Sequence, residues 1–81
     1  MKVRIKLFAV ARQRTGQDTI EVELPESATI RQLRTALIEQ HPPLADVVPH
    51  ARFALSSEYA ADSASISPDA EIAIIPPVSG G

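Results

Sequence analysis

Lys2-Val3-Arg4-Ile5-Lys6-Leu7 alternates a cation with an aliphatic side chain through six positions. Successive side chains of a strand point to opposite faces, so this period of two predicts a half-buried strand, with Val3, Ile5 and Leu7 inward and Lys2, Arg4 and Lys6 outward. The pattern returns over residues 18–24, where Ile20, Val22 and Leu24 alternate with Thr19, Glu21 and Glu23. Antiparallel pairing of the two segments sets acids beside the basic side chains. Cross-strand pairing, rather than a nucleic-acid surface, accounts for the three cations, since no aromatic platform is interleaved with them. Residues 10–17 connect the strands, with Gly16 near the end and room for one helical turn.

Outward from this hairpin, Pro25-Glu26-Ser27-Ala28 breaks the sheet and Thr29-Ile30-Arg31-Gln32 has the spacing of a capping box. Ile30, Leu33, Ala36, Leu37 and Ile38 then form the apolar stripe of a helix of about three turns. Pro42-Pro43 stops it by removing donors and excluding helical geometry at His41. Residues 44–48 read as a short irregular or helical piece, and residues 52–56 and 58–60 as brief strands around a tight Ser56-Ser57 turn. Ser67-Pro68-Asp69-Ala70 is a turn with proline in its favoured second position, leading into a last strand over 71–75. The order strand, strand, helix, two short strands, strand predicts an α+β domain: a mixed sheet of about five strands packed on one main helix, its first and last strands adjacent and parallel. That is the β-grasp fold, expected over residues 1–75, with residues 76–81 an extended tail.

With 81 residues, folding buries only about 60% of the unfolded chain's surface, and a large internal active site is not expected. An apolar fraction of 44%, 22% charged residues and a net charge of -2 exclude a disordered chain and give no sign of a polyanion partner. No secretory h-region or membrane-length apolar run is present, so a cytoplasmic protein is expected. The absence of cysteine removes disulfides and thiolate metal sites. His41 reads as a cation near a helix C-terminus and His50 as a loop residue, so no metal is expected. The serines lack a nucleophile-elbow context and no glycine-rich phosphate loop exists.

Chemistry is therefore sought in Pro76-Pro77-Val78-Ser79-Gly80-Gly81, where two of the three glycines stand at the final positions. Without a Cβ, the backbone passes a narrow channel and lets another active site approach the Gly81 carboxylate. An α-carboxyl with a pKa near ~3.5 is ionised and unreactive at neutral pH. Adenylylation would give it a good leaving group, and a sulfur donor would then leave a terminal thiocarboxylate. The proline pair either aims this tail or merely ends the last strand. Six residues reach at most about 20 Å.

Side-chain parity adds a surface. If Leu7 and Ile74 face the core, Phe8 and Ile75 face outward at neighbouring strand ends, making an apolar patch at the root of the tail. A loop folded over Phe8 is the alternative.

Lys6-Leu7-Phe8-Ala9, Ala11-Arg12, Gly16 and the ending Ala73-Ile74-Ile75-Pro76-Pro77-Val78-Ser79-Gly80-Gly81 resemble the small subunit of molybdopterin synthase, the MoaD type of ubiquitin-like sulfur carrier. The resemblance spans nearly the whole chain, and the ending is its specific part. It implies that an E1-like adenylyltransferase (MoeB-type) activates Gly81 with ATP and that a sulfurtransferase system converts it to the thiocarboxylate. It also implies that the tail enters a large subunit (MoaE-type) holding the catalytic pocket, where sulfur passes to cyclic pyranopterin monophosphate in molybdenum cofactor biosynthesis. Two small and two large subunits would form a heterotetramer. Gly81 is then the catalytic position, Gly80, Ser79, Val78, Pro77, Pro76, Ile75 and Phe8 bind partners, and the chain itself binds no cofactor. Ser56-Ser57, Asp69-Ala70 and Ile74-Ile75 depart from the family's usual Val-Asn type turn, turn glycine and aromatic pair. Carriers for thiamin, cysteine or tRNA thiolation, a ubiquitin-like protein modifier and a non-reactive interaction module are the alternatives.

Overall fold

The computed structural model describes residues 1–77. β1 (Lys2–Leu7) and β2 (Thr19–Glu23) pair antiparallel, with Lys2 opposite Glu23 and Arg4 opposite Glu21, so the acids flank the cations as the alternation predicts. The connector is more than one turn: α1 spans Ala9–Thr15. Alanine, arginine and glutamine tolerate the helix, and its extent is set by the fully buried Ala11, which pins it to the core. Gly16 closes it at φ 69°, donating its N–H to the Arg12 carbonyl at 2.8 Å. A left-handed cap of this kind suits a residue without a Cβ.

α2 (Ile30–Gln40) begins with the expected capping box. The Gln32 N–H donates to Thr29 Oγ1 at 3.3 Å, and the Thr29 N–H donates to Gln32 Oε1 at 2.8 Å. Ile30, Leu33, Ala36 and Leu37 are buried, while Ile38 packs at the margin. The helix ends at His41, whose φ of -133° is outside the helical region. Two 3₁₀ turns follow, Pro42–Leu44 and Val48–His50. β3 (Arg52–Leu55) and β4 (Glu58–Ala60) are joined by Ser56 and Ser57 at φ 49° and 71°. Positive φ at both central residues is the requirement of a two-residue hairpin that matches strand twist. At the last turn the Ala70 N–H donates to the Ser67 carbonyl at 3.1 Å, and neither Asp69 nor Ala70 has a positive φ. A turn of that type needs no glycine, which accounts for its absence there.

β5 (Ile72–Ile75) lies between β1 and β3, parallel to the first and antiparallel to the second. The sheet order is β2-β1-β5-β3-β4. Val3, Ile5, Leu7, Ile20, Val22, Phe53, Ile72 and Ile74 form its inner face, and with the α2 stripe, Leu44, Val48 and Ile66 they make one continuous core. No polar side chain is buried among the described residues. The hydrophobic effect therefore holds the β-grasp together from one side of the sheet only. Among the described residues, no helix is long and apolar enough to cross a membrane.

Candidate functional site

Since α2 and its connections cover the inner face, the outer face of the sheet is the one left open. The strand registers define its rows. Lys6 of β1, Ala73 of β5, Ala54 of β3 and Tyr59 of β4 lie side by side. One row nearer the tail, Ile75 is opposite Arg52. Phe8 follows Leu7, the partner of Ile74, and so stands level with Ile75.

Phe8 is outside β1 and caps α1 in an extended conformation, φ -129° and ψ 157°. The chain turns from strand to helix at Ala9, which takes the left-handed φ of 50°. The Phe8 carbonyl accepts the Ala11 N–H at 3.1 Å, while its ring is turned to the surface and 49% exposed. Among the described residues, no loop folds over it. Tyr59, 64% exposed, is the other large exposed apolar side chain among the described residues. A shallow cleft of about 180 Å³ opens between Phe8, Lys6, Ala54 and Ala73. The Arg52 guanidinium lies over the Tyr59 ring, 5.2 Å from its centre, an arrangement that attracts cation to ring face.

Phe8 and Ile75 are thus brought to one end of one face, Ile75 half-buried. Pro76 is buried and Pro77 exposed. Val78, Ser79, Gly80 and Gly81 lie outside the described residues. Tyr59 and Arg52 are absent from the set expected from sequence. The signal was present: with Phe53 in the core, parity turns Arg52 outward, and a two-residue turn at Ser56-Ser57 sets Tyr59 opposite Ala54.

His41 sits at the α2 C-terminus, where its Nε2–H donates to the Glu21 carbonyl at 2.9 Å. That ties the helix to β2. His50 is exposed at the end of a 3₁₀ turn. Among the described residues no three histidine, aspartate or glutamate side chains are grouped to hold a metal ion. The arrangement sets the exposed Phe8 and Tyr59 rings on the sheet face whose central strand, β5, leads to Pro76 and Pro77.

The ThiS family model matches residues 5–81. The molybdopterin synthase sulfur carrier subunit of Arabidopsis thaliana is 36% identical over 81 residues, covering all of this chain and 84% of the plant protein. The crystal structure of SAMP1 from Haloferax volcanii superposes with a TM-score of 0.84 at 30% identity, covering both chains in full. A Helicobacter pylori chain, solved as a complex of subunits 1 and 2 of molybdopterin-converting factor, shares the fold over the full length of both chains, with a TM-score of 0.69 at 17% identity. The β-grasp architecture, the match across nearly all of the sequence and the likeness to the plant subunit lead to one assignment: the chain belongs to the ThiS family, with the molybdopterin synthase sulfur carrier subunits among its relatives.

Proposed function

We propose that this chain is the sulfur-carrying small subunit of molybdopterin synthase, with the Gly81 carboxyl as the carrier group. The observation that carries the reading is the face formed by the exposed Phe8 and Tyr59 and the half-buried Ile75 around the latter part of β5, shortly before the segment that ends in Gly80-Gly81. A carrier needs that pairing of a docking surface and a thin reactive end. The similarity to the Arabidopsis subunit supports the pathway, and the H. pylori complex of subunits 1 and 2 supports a second subunit as partner.

In the proposed sequence, the Gly81 carboxylate attacks the α-phosphorus of ATP on an E1-like adenylyltransferase, releasing pyrophosphate. A sulfurtransferase system then supplies sulfur at the sulfide level, or as a persulfide whose acyl disulfide a thiol reduces; its attack on the acyl carbon displaces AMP and leaves the thiocarboxylate. ATP is consumed on the partner, and this chain holds no cofactor. The tail enters the large subunit, in whose pocket the thiocarboxylate sulfur attacks cyclic pyranopterin monophosphate, and water then cleaves the acyl–sulfur bond, leaving the sulfur on the pterin and returning Gly81 to the carboxylate. This chain's share of the enzyme is the sulfur-donating group and the surface that aims it.

The test is intact-mass measurement after incubation with the adenylyltransferase, ATP and sulfur donor. Exchange of one oxygen for sulfur, confined to the peptide containing Gly81 and absent from a Gly81-deleted variant, is expected. Exchange that survives the deletion would sink the carrier reading. The likeness to SAMP1, a small archaeal modifier protein, favours one second reading: a protein modifier, in which the activated Gly81 forms an isopeptide bond with a target lysine. The same spectra would then contain higher-mass conjugates.

A further inference from the structure

The outer face is not uniform in charge. Far from the tail, Lys2 is opposite Glu23 and Arg4 is opposite Glu21, with Lys2 Nζ 4.0 Å from Glu21. Lys6, in the next row, shares its cleft with Glu71. Arg52 has no such company. Among the described residues it enters no ion pair, and its neighbours in register, Ile75 on β5 and Ala61 level with it beyond β4, are uncharged. Its guanidinium rests on Tyr59 instead. Arg52 opens β3, paired with Ile75 on β5 and extending past the end of β4. Its guanidinium reaches over Tyr59 in the neighbouring row, so the charge lies between Ile75 on one side and Tyr59 on the other, at the border of the apolar patch.

A partner that covers Phe8, Ile75 and Tyr59 must also take Arg52 out of water. Burying an unpaired guanidinium opposes association, whereas a carboxylate on the partner gives it a charge-assisted and often bidentate contact. We infer that Arg52 is a specificity-determining residue of the docking face, selecting a partner that places a carboxylate inside an otherwise apolar depression. The inference rests on the docking reading above and deepens it by naming the partner's chemistry. Such a charge steers encounter and rejects surfaces with apolar or basic groups at that point.

The test uses the full chain and its large subunit, with affinity measured across a salt series. For the parent, binding weakens as salt rises. Arg52→Gln is expected to bind about tenfold more weakly at low salt, with a shallower salt dependence. Arg52→Glu loses more, and Arg52→Lys keeps the salt dependence while losing part of the affinity, since a lysine lacks the planar fork. Arg52 is exposed, and circular dichroism of each variant is expected to match the parent. Arg52→Gln binding with the parent's affinity and salt dependence would overturn the inference. Phe8→Asp, measured alongside, separates the two readings. If it abolishes binding while Arg52→Gln changes nothing, the charge selection alone is wrong, and if Phe8→Asp binds like the parent, the docking face itself is wrong.

Discussion

Phe8 and Arg34 show what a single residue contributes to the surface and to the interior. Phe8 is half-exposed and takes no part in the core, so Phe8→Asp is expected to leave the fold intact and weaken the partner complex. Circular dichroism and a binding titration check the two halves of that statement. Arg34 reaches inward. Its Nε–H donates to Asp62 at 3.1 Å, an Nη1–H donates to the Val48 carbonyl at 2.6 Å, and its guanidinium lies 4.9 Å from the centre of the Phe53 ring. Three separate segments are joined through one side chain. Charge-assisted hydrogen bonds and a partly desolvated ring contact together place the cost of Arg34→Ala at about 2 kcal/mol, and Arg34→Lys, which lacks the fork, is expected to recover less than half of it. Urea denaturation measures both. Phe8 is legible in the sequence because parity along β1 is a local property. Arg34 is not, because Val48 and Asp62 lie 14 and 28 residues away and no local pattern relates them.

Among the elements, β2 illustrates how a free sheet edge is managed. Gln40 closes it with two bonds, accepting the Glu23 N–H and donating to the Glu23 carbonyl, each at 2.9 Å. His41 takes the Glu21 carbonyl. Unpaired edge groups are templates for strand addition, and here the C-terminus of α2 occupies them. Gln40→Ala is expected to cost about 1 kcal/mol and to speed hydrogen exchange of the Glu23 amide. An unchanged exchange rate would show that this edge is not held by the side chain. The β3–β4 hairpin carries a different weakness, since Ser56 and Ser57 both adopt positive φ. Replacing them by Asn-Gly, the pair preferred in such turns, is expected to stabilise the domain by on the order of 1 kcal/mol, read as a higher urea midpoint. The strands, the capping box and the stop at Pro42-Pro43 could be read directly, because alternation, hydroxyl spacing and proline act over a few residues. The full extent of α1 could not, because it depends on the burial of Ala11 under elements distant in sequence.

For the molecule as a whole, function follows from asymmetry. One face of the sheet is spent on the core, Phe53, Ile72 and Ile74 included, and the other carries the exposed Phe8 and Tyr59 and is proposed to meet partners. The overall architecture was legible because a hairpin, a crossover helix and a returning strand admit few arrangements. The proposed docking face was legible in part as a surface: the outward placement of Phe8 and Ile75 follows from parity on single strands, whereas Tyr59 and Arg52 join them only once β3 and β4 are placed in register beside β5. The proposed mechanism then needs just two things of this domain, a surface to bind by and an end to react with. Gly80→Val is accordingly expected to impair sulfur transfer without changing stability, since a branched side chain would meet the walls of a narrow channel. The most direct measurement of the central claim starts from the chain prepared with a Gly81 thiocarboxylate, mixed with its large subunit and cyclic pyranopterin monophosphate, with both the pterin product and the intact mass of the carrier followed in time. Dithiolene formation in step with the return of Gly81 to a carboxylate is the result predicted here, and a thiocarboxylate that persists while no dithiolene appears would contradict it.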